Sequence, residues 1–140
     1  MIKHQKLPEN FLQLLPEAEN YLESHPKVVF SYLFGSLAKG SPLPLSDVDI
    51  AIFLKRNVNI ADTKLEILGG LMDILQTDEI DLVVLNRANL PLVMNILRNK
   101  KIIVDKAPFS RHIFESMIMR KYFDFSTKET AILKRRYLHG

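Results

Sequence analysis

The apolar positions fall into two rhythms. Val28-Val29-Phe30-Ser31-Tyr32-Leu33-Phe34 is an unbroken apolar, β-branched and aromatic run that stops at Gly35, and it predicts a buried strand. Asp47 to Leu54, bounded by Lys55-Arg56-Asn57, predicts a second strand. Ile80 to Leu85 predicts a third, and Lys101 to Val104 a short strand suited to an edge. Helical signals separate them. Pro8 and Asn10 open PENFLQLLPEAENYLES, with Pro16 as a kink or a break. Asn59 is placed to cap a helix, with Asp62 near its positive end. Along that helix Ala61, Leu65, Leu68, Met72 and Leu75 form one predicted apolar stripe. Gly69-Gly70 weakens it by about 1 kcal/mol per glycine relative to alanine, and implies either close packing on the sheet or a break. Asn89 to Arg98 predicts a short helix. From Pro108 the chain reads as helix through Tyr122 and again from Thr127, with Asp124-Phe125-Ser126 as a break.

Strands alternating with helices give an α/β fold on one mixed β-sheet flanked by helices. The expected organisation is a single domain, with a core over residues 1–109 and a helical C-terminal extension over 110–140. At 140 residues and 47% hydrophobic content, the chain can bury one core. There are no cysteines, so disulfides and cysteine-ligated zinc are excluded. The N-terminus has no long apolar stretch like that of a secretory signal, and no apolar run approaches the roughly 18 residues that span a bilayer. The expected location is cytoplasmic, without a membrane partner. The net charge of +3 is uneven: from Ser110 onward seven Lys/Arg stand against three acids. Such a tail suits an acidic partner or nucleic acid, or is simply a solvated helix face.

The chemistry concentrates in residues 34–54, FGSLAKGSPLPLSDVDIAIFL. Side chains alternate along a strand, so Asp47, Asp49, Ala51 and Phe53 share one face. Two carboxylates side by side at the head of an apolar strand repel each other, and a divalent cation relieves that conflict. Asp81 likewise heads an apolar strand. If the two strands are neighbours, three carboxylates converge at one edge of the sheet, a donor set suited to Mg²⁺. Gly35-Ser36, at the junction of strand and turn, lets backbone and hydroxyl approach a phosphate, and Lys39 adds positive charge. Ser36 to Ser46, with Gly40, Pro42 and Pro44, reads as a short helical turn and a loop.

Gly35-Ser36, ten intervening residues, then Asp47-Val48-Asp49 resembles the signature of the DNA polymerase beta nucleotidyltransferase superfamily. Within it the chain is similar to the minimal nucleotidyltransferases, the MNT-domain (MntA-like) antitoxins. The resemblance spans about residues 28–125 and is most specific over 34–54. It implies a nucleotidyltransferase-type mixed sheet. It also implies two Mg²⁺ ions, replaceable by Mn²⁺, held by Asp47, Asp49 and Asp81, with Asp81 helping to deprotonate the acceptor. Gly35, Ser36 and Lys39 would bind the nucleotide, with ATP as substrate. The implied reaction transfers AMP to a tyrosine of a cognate HEPN-family toxin, with which the chain would form a hetero-oligomer. The sequence departs from the pattern at Leu37 and Lys39, where many relatives carry arginine: Leu37 cannot contact phosphate, and Lys39 offers a point charge in place of a bidentate fork.

Two other classes compete with that expectation. One is a non-catalytic antitoxin that neutralises by binding alone, against which the retained Asp47, Asp49 and Asp81 argue. Another is a small-molecule, aminoglycoside-type adenylyltransferase, for which the tail is short. Nucleic acid is not expected as a direct substrate, because the tail has few interleaved aromatics beyond Tyr122, Phe123, Phe125 and Tyr137. His4, His25, His112 and His139 are scattered and read as surface or packing residues.

Overall fold

The computed structural model describes residues 10–38 and 48–139, without the side chains of Ser36, Leu37, Leu133 and residues 136–139. Helix α1 (Phe11–Ser24) leads into β1 (Val28–Phe34), the short α2 (Gly35–Ala38) and β2 (Val48–Leu54). Helix α3 (Ile60–Leu75), β3 (Ile80–Val84), α4 (Leu90–Asn99), β4 (Lys101–Asp105) and α5 (Pro108–His139) follow. The sheet runs in the order β3-β2-β1-β4. β1 is antiparallel to both β2 and β4, and β2 is parallel to β3. The parallel pair requires a crossover, and α3 supplies it.

Each face of this mixed sheet has its own helices and core. Val48, Ile50, Ile52 and Leu54 of β2 and Leu82 and Val84 of β3 pack with Ala18 and Leu22 of α1 and Ile67, Leu71 and Leu75 of α3. On the opposite face Phe30, Tyr32 and Ala51 pack with Val93 and Ile96 of α4 and Phe114 and Ile118 of α5. Phe53 stacks on Phe30 at 4.7 Å between ring centroids, and the Phe114 ring closes on both. This aromatic cluster seats the first half of α5 on the sheet.

Local capping follows the sequence. The Asn59 side chain accepts from the Asp62 N–H (3.0 Å), and the Asn89 side chain from the Leu92 N–H (2.9 Å). Asn86 clamps the turn after β3 to the end of β2: Leu54 N–H donates to its Oδ1 and its Nδ2 donates to the Leu54 carbonyl, both at 2.9 Å.

Of the two readings of Pro16 the break is excluded, and three further expectations need correction. Helix α1 passes through Pro16 unbroken. The carbonyl that proline leaves without an intrahelical donor belongs to Leu12, which is exposed. In α3 the buried row is Thr63, Ile67, Leu71 and Leu75, whereas Ala61 and Leu65 face solvent. A polar Thr63 opens the true stripe, and Leu65 mimics a competing one on the far side. Gly70 explains part of its pair: a Cβ there would overlap the Tyr21 ring, so the close approach is to α1 rather than to the sheet. Finally, α5 is one helix of 32 residues with no break at Asp124-Phe125-Ser126. No glycine or proline lies between Phe109 and Leu138, so nothing in that stretch forces an end.

Candidate active site

Strand register brings the acid-bearing ends together. Phe34 pairs with Asp49, and Asp49 pairs with Asp81, so the last residue of β1 and the heads of β2 and β3 form one row across the sheet. The strands that carry Asp49 and Asp81 are neighbours, as the convergence argument required. Because Ala51, Phe53 and Val83 lie on the α4/α5 side, alternation puts Asp49 and Asp81 on that side too. Adjacent strands lie about 4.8 Å apart, which makes the two carboxylates near neighbours. Asp49 is half-buried and Asp81 exposed.

Gly35 abuts this row. Its φ of +73° lies in the left-handed region, and a Cβ built on it would overlap the Asp49 carboxylate. Both the turn and the close approach therefore require glycine. Asp47 and Lys39 lie outside the described residues, as does the Ser36 side chain, whose backbone opens α2.

Hard carboxylate oxygens from two strands, beside backbone kept free of a side chain, form a donor set that fits an oxygen-seeking divalent cation such as Mg²⁺. Among the described residues no group of three His, Cys, Asp or Glu side chains could hold a metal. The described part of the site is thus a pair, Asp49 and Asp81.

The family model described as polymerase beta, nucleotidyltransferase, matches residues 17–109. The chain belongs to the polymerase beta nucleotidyltransferase family. The matched span runs from α1 past β4 and contains every candidate site residue. No curated protein matches the chain. Among solved structures, one of a toxin-antitoxin with AMP-PNP is 24% identical, with a TM-score of 0.66 over 94% of this chain and 99% of that one. A Shewanella oneidensis structure of a tri-AMPylated HEPN toxin in complex with MNT antitoxin is 21% identical, with a TM-score of 0.60 over 91% and 93%. A toxin-antitoxin structure named MntA-HepT is 22% identical, with a TM-score of 0.62 over 87% and 98%. At these identities the likeness speaks for the nucleotidyltransferase-like fold. Among the described residues no helix is long and apolar enough to cross a membrane.

Sequence reasoning missed a buried ionic cluster under the first half of α5. Glu115 accepts from Tyr32 Oη (2.6 Å), Lys100 Nζ (2.5 Å) and Arg111 Nη1 (3.1 Å), while Arg111 Nε lies 3.0 Å from Asp105 Oδ2. Burial pushes the Glu115 carboxyl up, but hydrogen bonds from Lys100, Tyr32 and Arg111, with the Lys100 charge, leave it below its ordinary value. Burial, then the Glu115 hydrogen bond, pushes the Tyr32 hydroxyl up and keeps it protonated. Arg111 therefore belongs to the interior and not to the basic surface of the tail. Only the Arg111–Glu115 spacing of four residues was a sequence signal. The other partners meet through the fold.

Proposed function

We propose that this family member is a nucleotidyltransferase antitoxin that transfers AMP from ATP to a tyrosine hydroxyl of a HEPN-family toxin. The observation that carries the proposal is the in-register pairing of Asp49 with Asp81 beside the Gly35 backbone. Family membership supports nucleotidyl transfer, and the toxin complexes among structures of like fold support the partner. In this reading Asp47, Asp49 and Asp81 would hold two Mg²⁺, which supply charge stabilisation at the α-phosphate when bound. Gly35, Ser36 and Lys39 would bind the triphosphate with amide, hydroxyl and ammonium groups. Asp81, at the exposed end of the row, takes the proton of the attacking hydroxyl. The hydroxyl oxygen then bonds to the α-phosphorus, and pyrophosphate leaves with the electrons of the broken bond.

Incubation of the protein, its cognate HEPN toxin and α-³²P-ATP with Mg²⁺ should label the toxin. Unlabelled toxin, neutralised all the same, would overturn the enzymatic reading in favour of neutralisation by binding alone. That second reading draws on the outer half of α5, where Phe123, Phe125 and Ile132 are exposed.

A further inference from the structure

Among the described residues β3 is an edge of the sheet, and its hydrogen bonds to β2 have a fixed parity. Val48 N–H donates to the Glu79 carbonyl and Leu85 N–H to the Ile52 carbonyl, both at 2.9 Å. In a parallel ladder the residues that address a given neighbour recur at every second position. Asp81 and Val83 therefore spend their backbone groups on β2, and Ile80, Leu82 and Val84 turn theirs to the open side. The Val84 carbonyl is already taken by the Arg87 N–H (3.2 Å). A cleft of about 770 Å³ runs along this open side. Asp81 to Val84 line its floor, Lys64 of α3 stands on one wall, and Arg87 stands at the entry to α4. Both cations are exposed, and Asp81 is the sole acid lining the cleft among the described residues.

We propose that this cleft takes an extended segment of the acceptor protein as an added strand on β3, with the hydroxyl-bearing residue opposite Asp81. The inference rests on the nucleotidyltransferase reading and adds how the acceptor is presented. Residues directly opposite on neighbouring strands project to the same face, whichever way the strands run. An added strand would therefore continue the row from Asp49 through Asp81 to the acceptor side chain, one strand spacing of about 4.8 Å farther on. The nucleotide then lies at the Gly35 and Asp49 end and the hydroxyl at the Asp81 end. The acceptor O–H gives its proton to the Asp81 carboxylate, its oxygen bonds to the α-phosphorus of ATP, and pyrophosphate departs. Main-chain pairing supplies affinity without regard to sequence. Lys64 and Arg87 select segments with acidic side chains on the stretch beyond the hydroxyl.

The test pairs hydrogen exchange with kinetics on the full chain, using the cognate HEPN toxin as probe. Toxin binding should slow exchange of the outward amides of Leu82 and Val84 at least tenfold. Lys64→Glu/Arg87→Glu should raise the KM for toxin at least tenfold, with the affinity for a non-hydrolysable ATP analogue unchanged. Replacing Leu82 by its α-hydroxy acid removes one outward N–H, keeps the buried side chain, and should raise the same KM. Label transfer with unprotected Leu82 and Val84 amides would overturn the strand-addition inference and leave the enzymatic reading standing. A tenfold fall in ATP-analogue affinity in the charge-reversed protein would assign the cleft to the nucleotide instead. No transfer by wild type would overturn the underlying reading, and with it the acceptor role of the cleft.

Discussion

The acid-bearing end of the sheet and the outer half of α5 hold their residues in opposite ways. Asp49 and Asp81 sit on strands whose other residues are core, so packing of Ile50, Ile52, Leu82 and Val84 fixes where their carboxylates stand. Beyond Tyr122, every described α5 side chain from Phe123 to Arg135 is exposed. The first half of the same helix is tied down by Phe114, Ile118 and the Glu115 cluster. Tyr122, half-buried with Arg98 5.2 Å above its ring, marks the boundary. The two proposed carboxylates thus stand on strands held by the core, while the outer half of α5 projects from an anchored base.

The largest expected effect would separate these two regions outright. Asp49→Asn and Asp81→Asn should each lower label transfer from α-³²P-ATP by about 10²–10³-fold, as loss of a charge-stabilising group does. Toxin binding by titration calorimetry should stay within about threefold, since the affinity proposed for the complex comes from the β3 main chain, Lys64, Arg87 and the outer half of α5 and not from these two carboxylates. Equal loss of binding and transfer would merge the regions and break the comparison.

Next comes the anchor. Glu115→Ala removes the shared partner of Lys100, Arg111 and Tyr32, leaving Lys100 without its carboxylate and Arg111 with Asp105 alone. Unfolding in urea should be easier by about 3–5 kcal/mol. The pH dependence has a definite sign. The folded Glu115 pKa lies below its ordinary 4.5, so its contribution is complete above that value and is lost as pH falls through the depressed one. Glu115→Gln should flatten that part of the stability profile between about pH 4.5 and the acid limit. An unchanged slope would show that other carboxylates carry the acid sensitivity.

Gly35→Ala should matter to both fold and site. It forces a side chain into the left-handed region at φ +73° and against the Asp49 carboxylate. The backbone part alone costs about 1–2 kcal/mol, and the displacement of Asp49 should lower transfer as well. Wild-type stability and turnover in that variant would mean the turn relaxes freely and the glycine is incidental.

The same contrast explains what the sequence could reveal. The β1 run, the Asp49 face and the head of β3 were legible because strand alternation and apolar continuity are local signals. Register between β2 and β3 was not, since it depends on the α3 crossover, yet it is what sets Asp49 beside Asp81. The α3 stripe misled because Leu65 offered a second apolar face and Thr63 disguised the true one. The Glu115 cluster joins β1, the α4–β4 turn, β4 and α5, so no window of sequence contains it. The cleft along β3 was invisible for a like reason: an edge exists only once strand order is known.

The smallest effect on stability should come from the outer half of α5, and there the comparison becomes sharpest. Phe125 and Ile132, two turns apart, fall on the same side of the helix, with 52% and 54% of their surfaces exposed. Phe125→Ser/Ile132→Ser should change unfolding free energy by no more than about 0.5 kcal/mol, the usual range for surface sites. If this helix face holds the partner, the same substitutions should weaken toxin binding at least tenfold while leaving metal-dependent ATP binding intact. Arg135→Glu, at an exposed charge farther out, should act mainly on association. Its effect should shrink as salt rises from about 0.05 to 0.5 M, because exposed charges act through a screened field. Stopped-flow association rates at several salt concentrations would measure this. A salt-independent change, or one confined to dissociation, would place Arg135 in a desolvated contact and extend the buried interface down the helix.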